Sequence, residues 1–203
     1  MSIKKRKHTV KRVSFFGFSQ CEENDLYYQE TYETAKLLAE NGYIIVNGGF
    51  TCTMEAGSRG SKDGGGHNIA VTLYPNGKTT FEGGDKPNKW VDQEIKTKTY
   101  VERTLGLMNL GDAYIAFKGG TGTLSEVAMA WALNQIYLYD FKPLILFGGF
   151  WNNVVSALDK HLLIQKTSFQ TLRVVTSPQE VLDTIRCFEE TGALTRKQRR
   201  KRI

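Results

Sequence analysis

Ala113-Tyr114-Ile115-Ala116-Phe117-Lys118-Gly119-Gly120-Thr121-Gly122-Thr123-Leu124-Ser125-Glu126 is the stretch on which the fold turns. Its first five residues are all apolar or aromatic, which suits a strand buried on both faces; a strand with one wet face would alternate. Glycines then turn the chain, and a helix runs on to about residue 135. A short buried strand, a glycine turn and a helix form the unit from which parallel sheets are built. The same rhythm extends in both directions. Strands are expected at residues 13–18, 43–46, 68–73, 94–96, 143–147 and 172–175. Helices are expected at 25–41, 53–62, 100–110, 150–163 and 178–190, with a Gly-, Pro- and Asn-rich loop over 75–89. The chain reads as one α/β domain, a doubly wound, mostly parallel sheet with helices on both faces. In such sheets ligands bind beyond the carboxyl ends of the strands, where the winding reverses.

The 203 residues suit a single domain spanning 13–190, flanked by basic tails at 1–12 and 191–203. The formal net charge of +6 resides in those tails, which carry six Lys or Arg each and no acids. The body between them holds the other fifteen bases against all twenty-one acids. A nucleic-acid-binding domain more often carries its basic patch on the folded surface. The tails read as solvated ends, or alternatively as a weak, salt-sensitive polyanion contact. Cys21, Cys52 and Cys187 are odd in number and widely spaced. That argues against a disulfide framework or a zinc site and fits a reducing cytoplasm. His8, His67 and His161 show no ligand spacing, so no metal site is expected. No apolar run approaches the ~18 residues of a membrane span. The apolar stretch after the basic N-terminus is too short for a signal sequence.

Three polar turns at strand ends carry the chemistry. In the turn Gly119-Gly120-Thr121-Gly122-Thr123, glycines admit close backbone approach, and the following helix offers free N–H groups and its positive end to an anion such as phosphate. The same pattern also suits a bare strand-to-helix turn with threonine as N-cap. Glu126 could act on a sugar held by this loop, or close a capping box with Thr123. The second turn, Asn47-Gly48-Gly49 through Met54-Glu55-Ala56, suits a phosphate or ribose contact, or close packing alone. In the third, Gly17-Phe18-Ser19, Ser19 could donate to the same ligand or cap the next segment. Arg103, beside Glu102, could bind phosphate through its two-pronged guanidinium or form a surface ion pair. Cys52, at a helix start, could have a lowered thiol pKa or be simply a small buried residue. The helix over 127–133 is apolar nearly all round, which predicts a two-fold symmetric homodimer packed through it and its neighbour, or else cover by the last helix.

Taken together, these blocks resemble the LOG (lonely guy) family, often mislabelled as lysine decarboxylases. Gly119-Gly120-Thr121-Gly122-Thr123-Leu124-Ser125-Glu126 matches its PGGxGTxxE hallmark, with Lys118 in the proline's place. Glu102-Arg103 matches its upstream Glu-Arg pair, and Gly17-Phe18-Ser19 its first turn. Asn47-Gly48-Gly49 through Met54-Glu55-Ala56 loosely matches its GGGxxGLMGA block, with Glu55 in place of glycine, and Thr104 stands where a basic residue often follows the pair. The resemblance covers about residues 13–190. It implies a Rossmann-like fold, usually dimeric, and hydrolysis of a nucleoside 5′-monophosphate of AMP or cytokinin type to free base and ribose 5-phosphate. It implies no metal or redox cofactor. On that pattern the 119–123 loop, with Ser19, Gly48, Gly49 and Met54, binds phosphate and nucleotide. Arg103 positions the nucleotide, and Glu126 serves the ribose. The same superfamily also contains non-catalytic molybdenum-cofactor carriers and nucleotide sensors, the alternative reading.

Overall fold

The computed structural model describes residues 8–75, 86–138 and 141–194. The outer parts of both basic tails, with the polyanion contact expected of them, and the centre of the 75–89 loop lie outside the described residues. Seven strands are described: β1 (Arg12–Phe16), β2 (Ile44–Asn47), β3 (Asn68–Leu73), β4 (Gln93–Thr97), β5 (Ala113–Ala116), β6 (Leu144–Phe147) and β7 (Leu172–Val175). They form one sheet in the order β4-β3-β2-β1-β5-β6-β7, and every neighbouring pair is parallel. The sheet is thus wholly rather than mostly parallel.

Six α-helices are described: α1 (Leu26–Glu40), α2 (Thr53–Asp63), α3 (Tyr100–Leu110), α4 (Thr121–Ile136), α5 (Trp151–His161) and α6 (Pro178–Thr191). The period of two along each strand sends alternate side chains to two separate cores. Val13 and Phe15 of β1 join Ile45, Ile115, Phe117 and Ile145 under α1 and α6. Phe16 joins Val46, Val71, Tyr114 and Leu146 under α3, α4 and α5. Ser14 shares the second face, where its hydroxyl donates to the Leu107 carbonyl of α3 at 2.8 Å. Packing extends slightly past residues 13–190, because Val10 and Leu194 are both buried in the first core. Among the described residues no helix is long and apolar enough to cross a membrane.

Two expectations are corrected. Cys21 and Cys52 form a disulfide, with Cα atoms 4.9 Å apart, so the cysteines do not support a reducing compartment and Cys52 is not a reactive thiol. The apolar helix α4 is not covered by α6, which lies on the opposite face. Trp131 is 9% exposed. Its Nε1–H donates to the Ser168 carbonyl at 3.0 Å, and its ring meets Phe169 edge-on. The 3-10 turn Lys166–Thr171 is therefore its cover.

Candidate functional site

From β1 the chain winds outward to β4, then crosses back to lay β5 on the other side of β1. The crossovers part company at β1 and β5, and a crevice opens above their carboxyl ends. A cavity of about 360 Å³ occupies it. Phe16 and Gly17 of the β1 end, Gly48 and Met54 after β2, and Tyr100, Arg103 and Leu107 of α3 form part of its lining. Thr121, Gly122, Thr123, Ser125 and Glu126 of α4 complete the opposite wall.

A capping box aims Arg103. The Thr99 hydroxyl accepts from the Glu102 N–H at 3.1 Å, and the Glu102 carboxylate accepts from the Thr99 N–H at 3.2 Å. Glu102 is thereby committed to the helix start, and Arg103, the next residue round, turns inward. Arg103 is only 4% exposed, which overturns the surface ion pair. Its Nε donates to the Val71 carbonyl at 3.1 Å, and its Nη2 lies 3.3 Å from Met54 Sδ. The guanidinium lies directly on the Gly48 backbone, where an added Cβ would stand 1.8 Å from Nη2 and 2.5 Å from Met54 Sδ. Gly48→Ala is therefore expected to displace the guanidinium, with a stability cost of ~1–3 kcal/mol from overpacking. Thermal melting checks it; an unchanged Tm would show that the guanidinium yields without cost.

Helix α4 starts directly from the glycine turn. Gly120 is its N-cap, with no side-chain cap bond. Thr123 is not the cap: its hydroxyl donates to the Gly17 carbonyl at 2.9 Å, tying α4 to the end of β1. Hence Thr123 and Glu126 form no capping box. Glu126 instead lines the cavity, 6% exposed. Without a side-chain cap, the first N–H groups of α4 remain directed at the rim, where they suit an anion. Gly119 and Gly120 lie exposed on that rim. At Gly119 a Cβ would stand 2.1 Å from Thr123 Oγ1.

Of the residues read from the sequence, Arg103, Glu126, Gly48, Met54, Thr121, Gly122 and Thr123 line the cavity. Ser19, Gly49, Gly119 and Gly120 lie outside that lining. The Ser19 carbonyl accepts from the Thr51 hydroxyl at 2.7 Å, and Gly49, at φ +79°, donates its N–H to Asn47 Oδ1 at 2.8 Å. Lys118 also points elsewhere, its ammonium 2.9 Å from the Tyr27 hydroxyl and over the Tyr27 and Phe150 rings. Tyr100 and Ser125 were not anticipated. The spacing could have shown Tyr100, which precedes Arg103 by three residues and so shares its helix face. Among the described residues no cluster of three or more His, Cys, Asp or Glu is placed to hold a metal ion.

Known proteins extend this picture. The chain is 33% identical over 119 residues to an uncharacterized protein of Archaeoglobus fulgidus, covering 59% of this chain and 72% of the relative. It is 28% identical over 190 residues to a probable cytokinin riboside 5′-monophosphate phosphoribohydrolase of Oryza sativa subsp. japonica, covering 88% and 71% respectively. The solved molybdenum cofactor binding protein of Rippkaea orientalis shares the fold, with a TM-score of 0.67 at 24% identity over 91% of this chain and 99% of that one. Residues 10–182 match the SLOG cluster4 family, and the chain belongs to it.

Proposed function

We propose that this protein hydrolyses the N-glycosidic bond of a nucleoside 5′-monophosphate, giving a free base and ribose 5-phosphate. The observation that carries the reading is the burial of Arg103 and Glu126 in the lining of one cavity, beside the uncapped start of α4. The rim, with its free N–H groups and glycines, takes the phosphate. Arg103 fixes the nucleotide from the opposite wall. As the C1′–N bond lengthens, positive charge grows on the sugar, and the Glu126 carboxylate stabilises it or accepts a proton from the attacking water. Water supplies hydroxide to C1′, and the base leaves with a proton. The relatives named as cytokinin riboside 5′-monophosphate phosphoribohydrolases support this chemistry. So does the placement of the three departures from the family pattern, since Lys118, Glu55 and Thr104 all lie outside the cavity lining.

Incubation of the pure protein with AMP, GMP, CMP, UMP and cytokinin riboside monophosphates, followed by assay for free base and ribose 5-phosphate, tests the reading. If none is cleaved, it fails. An intact nucleotide or pterin-type cofactor released on denaturation would favour a carrier instead.

The proposal extends to a homodimer. Val101 and Leu105 of α3, Leu124 and Ile136 of α4 and the adjoining Tyr137 are exposed, Ile136 at 71%. A second copy would cover this apolar surface. Light scattering is expected to give twice the 22.9 kDa of one chain, and Leu105→Glu to shift the mass toward one chain. A wild-type mass of 22.9 kDa at micromolar concentration would count against the dimer.

A further inference from the structure

Tyr100 opens α3 and lines the cavity. Its hydroxyl lies 2.5 Å from Ser125 Oγ and 3.3 Å from the Gly122 carbonyl. Ser125 in turn can donate to the Gly122 carbonyl at 2.8 Å. Three oxygens thus share two protons, and either arrangement has the same consequence. If Ser125 donates to Gly122, Tyr100 donates to Ser125. If Ser125 donates to Tyr100, Tyr100 donates to Gly122. In both cases the phenolic proton is spent within the wall, and what Tyr100 can still offer a ligand is a lone pair.

The Tyr100 oxygen and the Glu126 carboxylate both line the cavity and are both acceptors, whereas the first turn of α4 offers N–H donors. A phosphate, itself an acceptor, belongs against those N–H groups. The two acceptors suit a group that donates, such as a sugar hydroxyl.

We propose that Tyr100 is a specificity-determining residue: its phenolic oxygen accepts a hydrogen bond from a ribose hydroxyl and thereby selects ribonucleotides over their deoxy counterparts. The inference rests on a nucleoside monophosphate occupying the cavity, but not on its being cleaved. A deoxy analogue forfeits this hydrogen bond, a loss of about tenfold in affinity.

The test is calorimetric titration of the full chain with AMP, 2′-deoxy-AMP and 3′-deoxy-AMP, in the Glu126→Gln background so that nothing turns over. Tyr100→Phe keeps the ring and removes only the oxygen, and a melting curve checks that it folds. The expected result is that AMP binds about tenfold tighter than at least one deoxy analogue, and that Tyr100→Phe weakens AMP alone until the two match. Equal binding of all three nucleotides, or a preference that survives Tyr100→Phe, overturns the proposal. If no nucleotide binds, both this inference and the reading of the cavity fall. Discrimination lost in Tyr100→Phe, in a protein whose wild type cleaves nothing, refutes the hydrolase alone and sustains the role of Tyr100.

Discussion

Glu126→Gln is expected to lower nucleotide cleavage by about 10³-fold or more, roughly 4 kcal/mol of transition-state stabilisation, while the protein still folds and still binds AMP. The substitution keeps the shape and removes the charge. Glu126 is buried at 6% exposure, so a carboxylate there acts on developing positive charge more strongly than it would in water. In the proposed mechanism ground-state binding rests chiefly on the rim amides and on Arg103, which the substitution leaves in place. The loss should therefore fall on kcat rather than on KM. The measurement is release of ribose 5-phosphate from AMP, or from whichever nucleotide proves the best substrate, alongside a melting curve. Turnover within tenfold of wild type, in a variant that melts normally, removes Glu126 from the mechanism.

Why Arg103 and Glu126 line one cavity was only half legible in the sequence. The strand–turn–helix units were plain, because a parallel sheet buried on both faces leaves unbroken apolar runs such as 113–117. The burial of Arg103 was not plain. Glu102-Arg103 has the composition of a surface pair, and only the reciprocal bonds between Thr99 and Glu102 show that the glutamate faces the helix end while the arginine faces the cavity. Thr123 misled for a similar reason. Its spacing to Glu126 fits a capping box, but the Gly17 carbonyl on the neighbouring strand claims its hydroxyl at 2.9 Å. That competitor is 106 positions away in sequence, and local spacing carries no information about it. Tertiary contact likewise decided Trp131, since an all-round apolar helix does not say which segment covers it.

The disulfide could have been deduced from the topology. β1 and β2 are adjacent and parallel, so their carboxyl ends lie side by side. β1 ends at Phe16 and β2 at Asn47, and each cysteine follows five residues later, at equivalent points of two adjoining turns. Counting cysteines concealed this, because the odd one, Cys187, has no part in the pair.

Reduction of Cys21–Cys52 is expected to destabilise the fold by about 3–4 kcal/mol, the chain-entropy value for a loop closed across a sequence separation of 31. For a domain of this size that corresponds to a fall in Tm of roughly 7–15 °C. Local structure points the same way. Cys52 adopts φ +55° and ψ −122°, a sparsely populated conformation that costs a non-glycine residue ~1–3 kcal/mol, and the bond helps to hold it there. Two residues on, Met54 packs against the Arg103 guanidinium, so slack in this turn would also reach the cavity. Cys21→Ala should reproduce the effect of reductant while leaving Cys52 in place. Melting with and without dithiothreitol reads the stability, and a thiol titration under denaturing conditions reads the bond: one thiol, that of Cys187, before reduction and three after. Three thiols before reduction, together with a Tm that dithiothreitol does not move, would show that these two cysteines remain free in solution and that the turns after β1 and β2 are held by their hydrogen bonds alone, Thr51 to Ser19 and Thr53 to Phe18.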